Sequence, residues 1–246
     1  LLRRMEQRAL GKKDEPIVIE EFPGLDGEVA WDPRPISRSG SERVIRFAFD
    51  YAKVRQRKSG KPQSVTCVDK SNVTRGCQLF RKIFREFAES NQDVPVKEAY
   101  IDAFTMWLVR NPEDLDIVVL PNMFGDIATD LASVLQGGMG MSASANMGPR
   151  HMLFEPVHGS APKHAGKNIV NPIAMIQSVQ MMFEALGFRK KDETLDICAE
   201  ILQNAIRQHF EEGAPVTYDL GGTASTSDVG EAIAERCERM LKARFS

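Results

Sequence analysis

The chain alternates between stretches with apolar residues at helical spacing and short runs rich in β-branched residues. Residues 39–55, SGSERVIRFAFDYAKVR, have the helical spacing, with Ser39 and Glu42 placed as in a capping box. The run SVTCV, which ends before Asp69, predicts a short strand, and CQLFRKIFREFA predicts an amphipathic helix after it. The first part of the chain therefore predicts a helix, a strand and a second helix.

A second cycle of the same kind follows. Residues 102–110 have a helical pattern, and the apolar run DLDIVVL at 114–120 predicts a buried strand. A further helix after this strand contains Asp126 and Asp130. Strands that alternate with helices favour a parallel or mixed sheet covered by helices. The expected fold class is therefore α/β.

Glycine and proline divide the chain into larger parts. Residues 12–40 are rich in proline, glycine and acidic residues, and they predict an arm or an extended hairpin. Glycine and small residues at 137–148, GGMGMSASANMG, indicate the crossing between two domains, at 1–136 and 137–246. Helices that cover a sheet are expected at 171–186, 194–210 and 228–243.

Composition and charge narrow the class of partner. The 246 residues carry 32 basic and 34 acidic side chains, so the net charge of -2 gives no electrostatic footprint for nucleic acid or an anionic membrane. The four cysteines form no CxxC pair, which argues against a zinc ribbon or a disulfide framework and favours a reducing compartment. No apolar run approaches the roughly 18 residues that span a bilayer. A small molecule or a protein is the expected partner.

Two carboxylates in LPNMFGDIATDL, residues 120–131, raise a chemical question. Asp126 and Asp130 lie one helical turn apart, where like charges repel each other. The apolar stripe expected to be buried on this helix lies beside them and consists of Ile127, Leu131, Val134 and Leu135. A hard divalent cation such as Mg²⁺ or Mn²⁺ suits oxygen ligands in this position. The alternative is a solvated acidic first turn that the helix dipole favours.

Two more charged residues lie at the ends of predicted elements. Lys70 follows a predicted strand, at the carboxyl end where α/β sheets place their ligands. Such a lysine acts as a general base when burial or a neighbouring cation favours its neutral form, and the alternative is a solvated loop lysine. Asp102 adjoins an apolar helix and is either a third metal carboxylate or the N-cap of that helix.

The segment at 154–172, FEPVHGSAPKHAGKNIVNP, predicts a loop of fixed shape because it combines glycines, prolines and two histidines. Ala161 and Asn168 break the pattern of a Walker phosphate loop, and no GxGxxG motif is present. The six-residue spacing of His158 and His164 fits no common zinc site. These residues by themselves therefore leave the ligand of the loop open.

Taken together, these stretches resemble the β-decarboxylating dehydrogenases, the family of 3-isopropylmalate, isocitrate, homoisocitrate and tartrate/malate dehydrogenases. NMFGDIATD resembles the family's metal-binding helix, VDKSNV the strand end with the catalytic lysine, and YIDAFTMWLVRNP the helix with the third metal aspartate. HGSAPKHAGKNIVNP resembles the adenine-nucleotide loop, and DLGGTASTSDVG the C-terminal turn. The five motifs occur in the family's order over residues 68–230.

The resemblance implies NAD(P)-dependent oxidation of a malate-type 2-hydroxy acid, followed by loss of its β-carboxylate. It assigns catalysis to Lys70, which takes the proton of the C2 hydroxyl, and to Asp102, and it places Asn72 on the nicotinamide side of the cofactor. The resemblance also implies that Asp102, Asp126 and Asp130 hold Mg²⁺ or Mn²⁺. The residues that the resemblance further implies as contacts of the cofactor are Glu155, His158, Gly159, Ser160, Ala161, Lys163, His164 and Asn171.

The nucleotide loop also suggests which cofactor binds. NAD-using members of the family usually carry an acidic residue after HGSAP, whereas this chain has Lys163 and His164. Cations there would attract a 2′-phosphate and could not accept a hydrogen bond from a ribose hydroxyl. NADP is therefore the expected cofactor, with NAD as the second choice.

The resemblance further implies a two-domain, isopropylmalate/isocitrate dehydrogenase-like α/β fold that lacks its N-terminal part. Residues 1–136 would form the small dimerisation domain with the arm, the catalytic lysine and the metal aspartates. Residues 137–246 would form the C-terminal part of the larger nucleotide-binding domain. Lys70 and Asp102 would reach the metal of the neighbouring subunit, which implies a homodimer with shared active sites. The expected location is the cytoplasm, or the mitochondrial matrix in a eukaryote.

Several substrates stay open. LFEPVHGSAP and VDKSNV resemble the isopropylmalate and tartrate members, and APKHAG resembles the NADP-dependent isocitrate members. The first expectation is 3-isopropylmalate, followed by isocitrate and by tartrate or malate. The family's first strand and substrate arginines are expected before the first residue, with Arg3 or Arg4 as a remnant, and RRMEQRAL lacks the catalytic tyrosine. A non-catalytic subunit of this fold is the rival from another class.

Overall fold

A computed structural model describes residues 32–245 of the chain. These residues form two compact units. The first unit consists of residues 32–100 and 116–121, and the second unit consists of residues 101–115 and 122–245.

Helices and strands alternate along the described residues. In chain order they are α1 (Arg38–Ser59), β1 (Val65–Asp69), α2 (Arg75–Glu89), β2 (Val96–Tyr100), α3 (Ile101–Arg110), β3 (Ile117–Val119), α4 (Asn122–Leu135), β4 (Ala143–Met147), β5 (Met152–Pro156), α5 (Ile173–Lys190), α6 (Glu193–Glu211) and α7 (Thr226–Phe245). Short 3-10 turns lie at Pro112–Asp114, Met139–Met141, Pro162–His164 and Tyr218–Leu220.

The sheet of the first unit contains three parallel strands in the order β2-β1-β3. β1 lies in the middle and is buried along its whole length, as is typical of a strand inside a parallel sheet. The core that α1 and α2 form with this strand includes Ile45, Phe49, Phe80 and Phe84. The parallel α/β sheet expected from the alternation of elements is confirmed.

The bounds of α1 are set by one side chain and one glycine. The hydroxyl of Ser37 accepts a hydrogen bond from the amide of Gly40 at 3.2 Å and caps the helix. The predicted capping box is therefore wrong, because Ser39 and Glu42 both lie inside the helix. Gly60 follows the last turn with φ 68°, a left-handed conformation that glycine adopts without steric cost.

The second unit includes the antiparallel pair β4-β5 and the three helices α5, α6 and α7. Its buried core consists of Met141, Ile173, Ala205, Ile206, Val229 and Ile233. The three helices predicted in this part of the chain are confirmed, with shifts of a few residues at their ends. Of these helices, α5 packs against both strands of the pair, and the hydroxyl of Thr226 at the start of α7 donates to the carbonyl of Val170.

Three strands have no clear signal in the sequence. β2 buries only Ala99, and β4 and β5 bury no residue completely. Strands that are held mainly by backbone pairing leave little hydrophobic pattern. The glycine-rich stretch at 137–148 thus contains β4. The domain boundary between residues 136 and 137 stays a prediction.

Part of the predicted arm, residues 12–31, lies outside the described residues, as do Arg3 and Arg4. Within residues 32–245, no helix combines the length and the apolar character that a membrane span needs. All four cysteines are free thiols, and Cys67 and Cys77 are buried.

A carboxylate ties the residue before β1 to the residue before β3. Asp116 Oδ2 accepts hydrogen bonds from the amide and from the hydroxyl of Ser64, each at 2.8 Å, and Ser64 is only 7% exposed. Burial acts to raise the pKa of Asp116, but the two hydrogen bonds from Ser64 outweigh it, and the pKa lies below its ordinary value. The charged form of this carboxylate therefore stabilises the fold.

Asp116→Ala should lower the free energy of unfolding at neutral pH by about 1–3 kcal/mol, because it leaves the buried amide and hydroxyl of Ser64 without an acceptor. Since the folded pKa is depressed, the contribution of Asp116 is complete above the unfolded pKa of about 4 and is lost as the pH falls through the lower folded value. Urea unfolding at a series of pH values measures both effects.

Asp116→Asn is the matched control for this prediction, because its amide oxygen keeps one acceptor without the charge. We expect an intermediate loss of stability at neutral pH. Equal stability of the wild type and both variants at neutral pH would contradict the role assigned to Asp116.

Candidate functional site

Lys70 directly follows β1, at the carboxyl edge of the parallel sheet, and is half-buried. Its carbonyl accepts hydrogen bonds from the amides of Val73 at 3.0 Å and Thr74 at 2.9 Å, which close a tight turn before α2. Asn72 lies in the same turn and is exposed. The structure therefore places Lys70 and Asn72 where α/β sheets bind ligands.

An ion pair next to this turn was not predicted. Asp69 is fully buried, and its two carboxylate oxygens accept hydrogen bonds from Arg81 Nε and Nη2, each at 2.9 Å. One of these oxygens also accepts a bond from the amide of Ser71 at 2.7 Å. The sequence signal that could have predicted an ion pair here was an aspartate at the end of a buried strand, since a buried charge needs a partner.

The buried carboxylate also affects a thiol inside the strand. Burial raises the pKa of the Cys67 thiol, and the negative charge of Asp69 adds to the rise. The thiol lies 3.9 Å from Asp69 Oδ2 and donates to it. Cys67 is therefore a protonated side chain of the core and no nucleophile.

Asp102 lies in the first turn of α3 and is exposed. Because the helix already begins at Ile101, Asp102 is part of the helix and does not precede it as an N-cap would. Its backbone carbonyl accepts a hydrogen bond from the hydroxyl of Thr105 at 2.8 Å. The N-cap interpretation is therefore wrong, and the assignment of Asp102 to a metal stays a prediction.

Asp126 and Asp130 lie on consecutive turns of α4, and both are exposed. Asp126 Oδ2 accepts a hydrogen bond from the side-chain amide of Asn122 at 3.1 Å. The first turn of α4 contains no acidic residue, so the helix dipole, whose effect falls off within that turn, gives no reason for this pair. The alternative is therefore wrong about the first turn and the helix dipole, whereas its solvated carboxylates agree with the exposure of both residues.

The described residues form no complete metal cluster of their own. Among residues 32–245, no group of three or more histidine, cysteine, aspartate or glutamate side chains has an arrangement that could hold a metal ion. Asp126 and Asp130 are thus a pair of oxygen donors that needs further ligands. Mg²⁺ and Mn²⁺ tolerate such a pair because water and substrate oxygens complete their octahedral shells.

The apolar stripe predicted to be buried on α4 is mostly exposed. The residues that α4 buries are Phe124, Ala128 and Ser133. Ile127 is 56% exposed and Val134 is 68% exposed, and Leu135 is exposed as well, whereas Leu131 is half-buried. The helical period was correct, but the more apolar side of the helix faces away from the core of this chain.

The loop that follows β5 contains a short 3-10 turn, and its expected fixed shape stays a prediction. Glu155, near the end of β5, is exposed and accepts a hydrogen bond from the Asn146 amide at 3.0 Å. Nδ1 of His158 lies 2.8 Å from the carbonyl of Gly159. Ala161 has the left-handed φ of 45° and leads into the 3-10 turn Pro162–His164.

The exposed face of this loop includes most of the cofactor residues implied by the resemblance. Gly159, Ser160, Ala161 and Lys163 are exposed, and His164 is half-buried. Nδ1 of His164 is buried and has no hydrogen-bond partner among the described residues. The loop therefore presents the ammonium group of Lys163 in this turn.

The C-terminal turn holds this loop in place. The rings of His164 and Tyr218 lie 6.1 Å apart. Asn168 Oδ1 accepts hydrogen bonds from the amide of Ser227 at 3.2 Å and from its hydroxyl at 3.1 Å. The structure thus brings together two motifs that are more than fifty residues apart in sequence.

Asn171 lies at the end of the loop, and its side chain is hydrogen-bonded within the second unit. It is buried, and its amide donates to Asp219 Oδ2 at 3.0 Å. Its carbonyl oxygen accepts a bond from the amide of Ile173 at 3.0 Å, at the start of α5. Because both ends of this side chain are bound within the protein, Asn171 supports the loop, and its contact with the cofactor stays a prediction.

The sequence-predicted residues are divided between the two units. Lys70 and Asn72 belong to the first unit, and Asp102, the α4 carboxylate pair and the nucleotide loop belong to the second. The supporting residues that sequence reasoning missed are Asp69, Arg81, Asn168, Tyr218 and Asp219.

Comparison with known proteins gives consistent matches over most of the chain. A family model described as isocitrate/isopropylmalate dehydrogenase matches residues 12–233. A homoisocitrate dehydrogenase of Methanocaldococcus jannaschii is 41% identical over 219 residues, which cover 89% of this chain and 59% of that protein. A 3-isopropylmalate/3-methylmalate dehydrogenase of the same organism is 40% identical over 232 residues, which cover 91% of this chain and 67% of that protein.

Solved structures agree with these matches. A β-decarboxylating dehydrogenase from Thermococcus kodakarensis, in its apo form, has a TM-score of 0.77 and 41% identity, and the match covers 89% of this chain and 61% of that chain. An isocitrate dehydrogenase from Methylococcus capsulatus has a TM-score of 0.74 and 38% identity, with 91% and 62% covered. The chain therefore spans about three fifths of the length of these relatives.

Asn168→Ala should loosen the nucleotide loop, because it removes the acceptor for Ser227. It should also strain the backbone, since the left-handed φ of 53° at this position costs an ordinary L-residue roughly 1–2 kcal/mol. We expect faster amide hydrogen exchange over residues 157–168 and a lower melting temperature.

Asn168→Gly is the matched control, because glycine loses the same hydrogen bonds without the backbone strain. Its melting temperature should lie between those of the wild type and Asn168→Ala. Unchanged loop exchange in both variants would show that Asn168 does not anchor the loop.

Proposed function

The chain belongs to the isocitrate/isopropylmalate dehydrogenase family, and from this premise we propose that its protein oxidises and decarboxylates a 3-substituted malate with NADP or NAD. The observation that carries the proposal is the placement of the motif residues. Lys70 directly follows the central buried strand, and Asp126 and Asp130 lie exposed on consecutive turns of α4. The proposal concerns the whole protein, because the chain spans 59% of the first relative.

The proposed base of the reaction is Lys70. At the carboxyl edge of the sheet its side chain is half-buried, and the turn that contains it is closed by two backbone hydrogen bonds. In its neutral form, Nζ of Lys70 would accept the proton of the C2 hydroxyl while the C2 hydride passes to the nicotinamide. Asn72, exposed in the same turn, would contact the nicotinamide side of the cofactor.

The proposed metal ligands are the α4 pair and a third carboxylate from a second copy of the chain. Asp126 and Asp130 offer exposed oxygen donors on one helix side, which is the donor type that Mg²⁺ and Mn²⁺ prefer. The partner subunit's Asp102 would complete the protein ligands. When bound, the ion would supply Lewis-acid polarisation of the substrate oxygens and would stabilise negative charge that develops during decarboxylation.

The proposed cofactor is NADP. Lys163 is exposed in the 3-10 turn and carries an ammonium group there. A 2′-phosphate accepts charge-assisted hydrogen bonds from such groups, whereas a ribose 2′-hydroxyl would need an acceptor. The loop offers donors in this turn, which favours the phosphorylated cofactor.

A homodimer is the proposed assembly, and the exposed apolar side of α3 and α4 supports it. These helices pack together within the second unit. They expose Met106, Trp107, Val109, Met123, Ile127, Val134 and Leu135. Several exposed apolar residues on two helices that pack together favour an interface in soluble proteins. A second copy that covers this surface would also bring its Asp102 towards the α4 pair.

Substrate choice rests on the relatives. We propose 3-isopropylmalate, because one close relative carries the name 3-isopropylmalate/3-methylmalate dehydrogenase. Homoisocitrate is the second candidate, since a relative of similar identity is a homoisocitrate dehydrogenase. Isocitrate follows, because a solved relative is an isocitrate dehydrogenase.

The proposed activity should appear as NADPH formation when the full natural protein is mixed with Mn²⁺ and the correct acid. We would test 3-isopropylmalate, homoisocitrate, isocitrate, tartrate and malate in parallel, each with NADP and with NAD. Turnover of 3-isopropylmalate alone would support the proposal. Turnover of another acid would correct the substrate, and no turnover with any of them would favour a non-catalytic subunit.

Lys163→Asp should change the cofactor preference. The aspartate would repel a 2′-phosphate and could accept a bond from a 2′-hydroxyl, so kcat/KM for NADP should fall at least about tenfold relative to NAD. Lys167→Asp is the matched control, because it makes the same charge change in the same loop after the 3-10 turn. An unchanged ratio in Lys163→Asp would show that the loop does not bind the 2′ position.

Val134→Asp should convert the proposed dimer into a monomer, because it places a charge among the exposed apolar residues of α4. Val134 is exposed in the single chain, so the fold should survive, which circular dichroism can verify. Light scattering coupled to gel filtration measures the mass. Leu153→Asp, at an exposed apolar position on β5, is the control and should stay dimeric. A dimeric Val134→Asp would place the interface elsewhere.

A further inference from the structure

Arg81 makes contacts with the ends of two neighbouring strands. Besides its two hydrogen bonds to Asp69 at the end of β1, its Nη2 donates to the carbonyl of Ala99 in β2 at 2.8 Å. Its guanidinium lies 4.8 Å from the ring centroid of Tyr100, and Nη1 lies 3.6 Å from Glu98 Oε2. One side chain of α2 thus connects the carboxyl ends of β1 and β2.

The ion pair is nearly removed from solvent. The side chain of Asp69 is 0% exposed and that of Arg81 is 11% exposed. A buried carboxylate that loses its partner is strongly destabilised, and it must move towards water or take up a proton. The position of the Asp69 carboxylate therefore depends on Arg81.

The turn that contains Lys70 is fixed through the same carboxylate. Asp69 Oδ1, which Arg81 holds, accepts the amide of Ser71 on the far side of Lys70. Gln78, one turn before Arg81 on α2, donates to the carbonyl of Ser71 at 3.0 Å. Both hydrogen bonds of Ser71 thus lead back to one face of α2.

We propose that Arg81 is a positioning residue, which acts through Asp69 to hold the Lys70 turn in the geometry needed for proton transfer. This inference rests on the proposed function, in which Lys70 is the base. Arg81 does not itself touch the substrate in this account. Arg81 on α2 would thus be a third residue that serves this part of the site, beside Lys70 and Asn72 of the turn.

A neighbouring arginine separates positioning from simple stability. Arg85, one turn further along α2, also makes a two-bond pair, with Glu98, at 2.7 Å for each bond. Its side chain is 62% exposed, and its hydrogen bonds with Glu98 do not reach the Lys70 turn. Arg85→Gln therefore removes a more exposed two-bond ion pair from the same helix without releasing Ser71.

The first arm of the test needs no turnover. In Arg81→Gln, amide hydrogen exchange should speed up at Ser71, Val73 and Thr74, roughly tenfold or more, because the turn loses its anchor. Arg85→Gln should leave these amides at wild-type rates. Wild-type exchange in Arg81→Gln would overturn the proposal.

The second arm measures kinetics with the acid that the wild type turns over. Arg81→Gln should lower kcat roughly tenfold or more while KM stays within about twofold, because a misplaced base affects the chemical step. Arg81→Lys should restore part of kcat, since an ammonium can pair with Asp69 but cannot bridge to Ala99 as well. Wild-type kcat in Arg81→Gln, or equal losses in Arg81→Gln and Arg85→Gln, would overturn the proposal.

A second variant covers the case in which Arg81→Gln does not fold. Asp69→Asn combined with Arg81→Gln removes both buried charges, so no unpaired charge remains. It should fold and still show faster exchange at Ser71, and wild-type exchange there would overturn the proposal. A wild-type protein that turns over none of the acids would refute the proposed function instead, while the exchange arm would still show whether Arg81 holds the turn.

Discussion

Burial of β1 between two parallel neighbours is the constraint on which the first unit depends. Because a central parallel strand has no exposed face, a charge within it needs a partner, and the one charged residue of β1, Asp69, pairs with Arg81. The backbone becomes accessible to solvent only after the last residue of the strand. Lys70, the next residue, therefore lies at the carboxyl edge of the sheet. The fold and the proposed base thus have a common physical cause.

Hydrophobic period alone was enough to predict the helices and the central strand, because each of them buries apolar side chains at regular spacing. It could not predict β2, β4 or β5, which depend on backbone pairing. The helical period of α4 was predictable, but the side of the helix that is buried was not, since Ile127 and Val134 face away from the core. Long-range partners such as Arg81 for Asp69 and Ser227 for Asn168 leave no local pattern at all.

The orientation of α4 connects the assembly to the proposed chemistry. Its exposed apolar residues lie on the same helix as the exposed pair Asp126 and Asp130, and neither group has a sufficient partner within the described residues. A second copy of the chain could supply an apolar surface for the first group and a carboxylate for the second. In this account, dimerisation and metal binding are two consequences of one outward-facing helix.

The most direct test of this account is Mn²⁺ binding by the full natural protein, followed by electron paramagnetic resonance of the free ion. We expect wild-type binding that Asp126→Asn weakens at least about tenfold, because one of two adjacent oxygen donors loses its charge. Glu231→Gln, which removes an exposed acid from α7, should bind as the wild type does. Equal Mn²⁺ affinity in the wild type and Asp126→Asn would contradict the assignment of the α4 pair to a metal site.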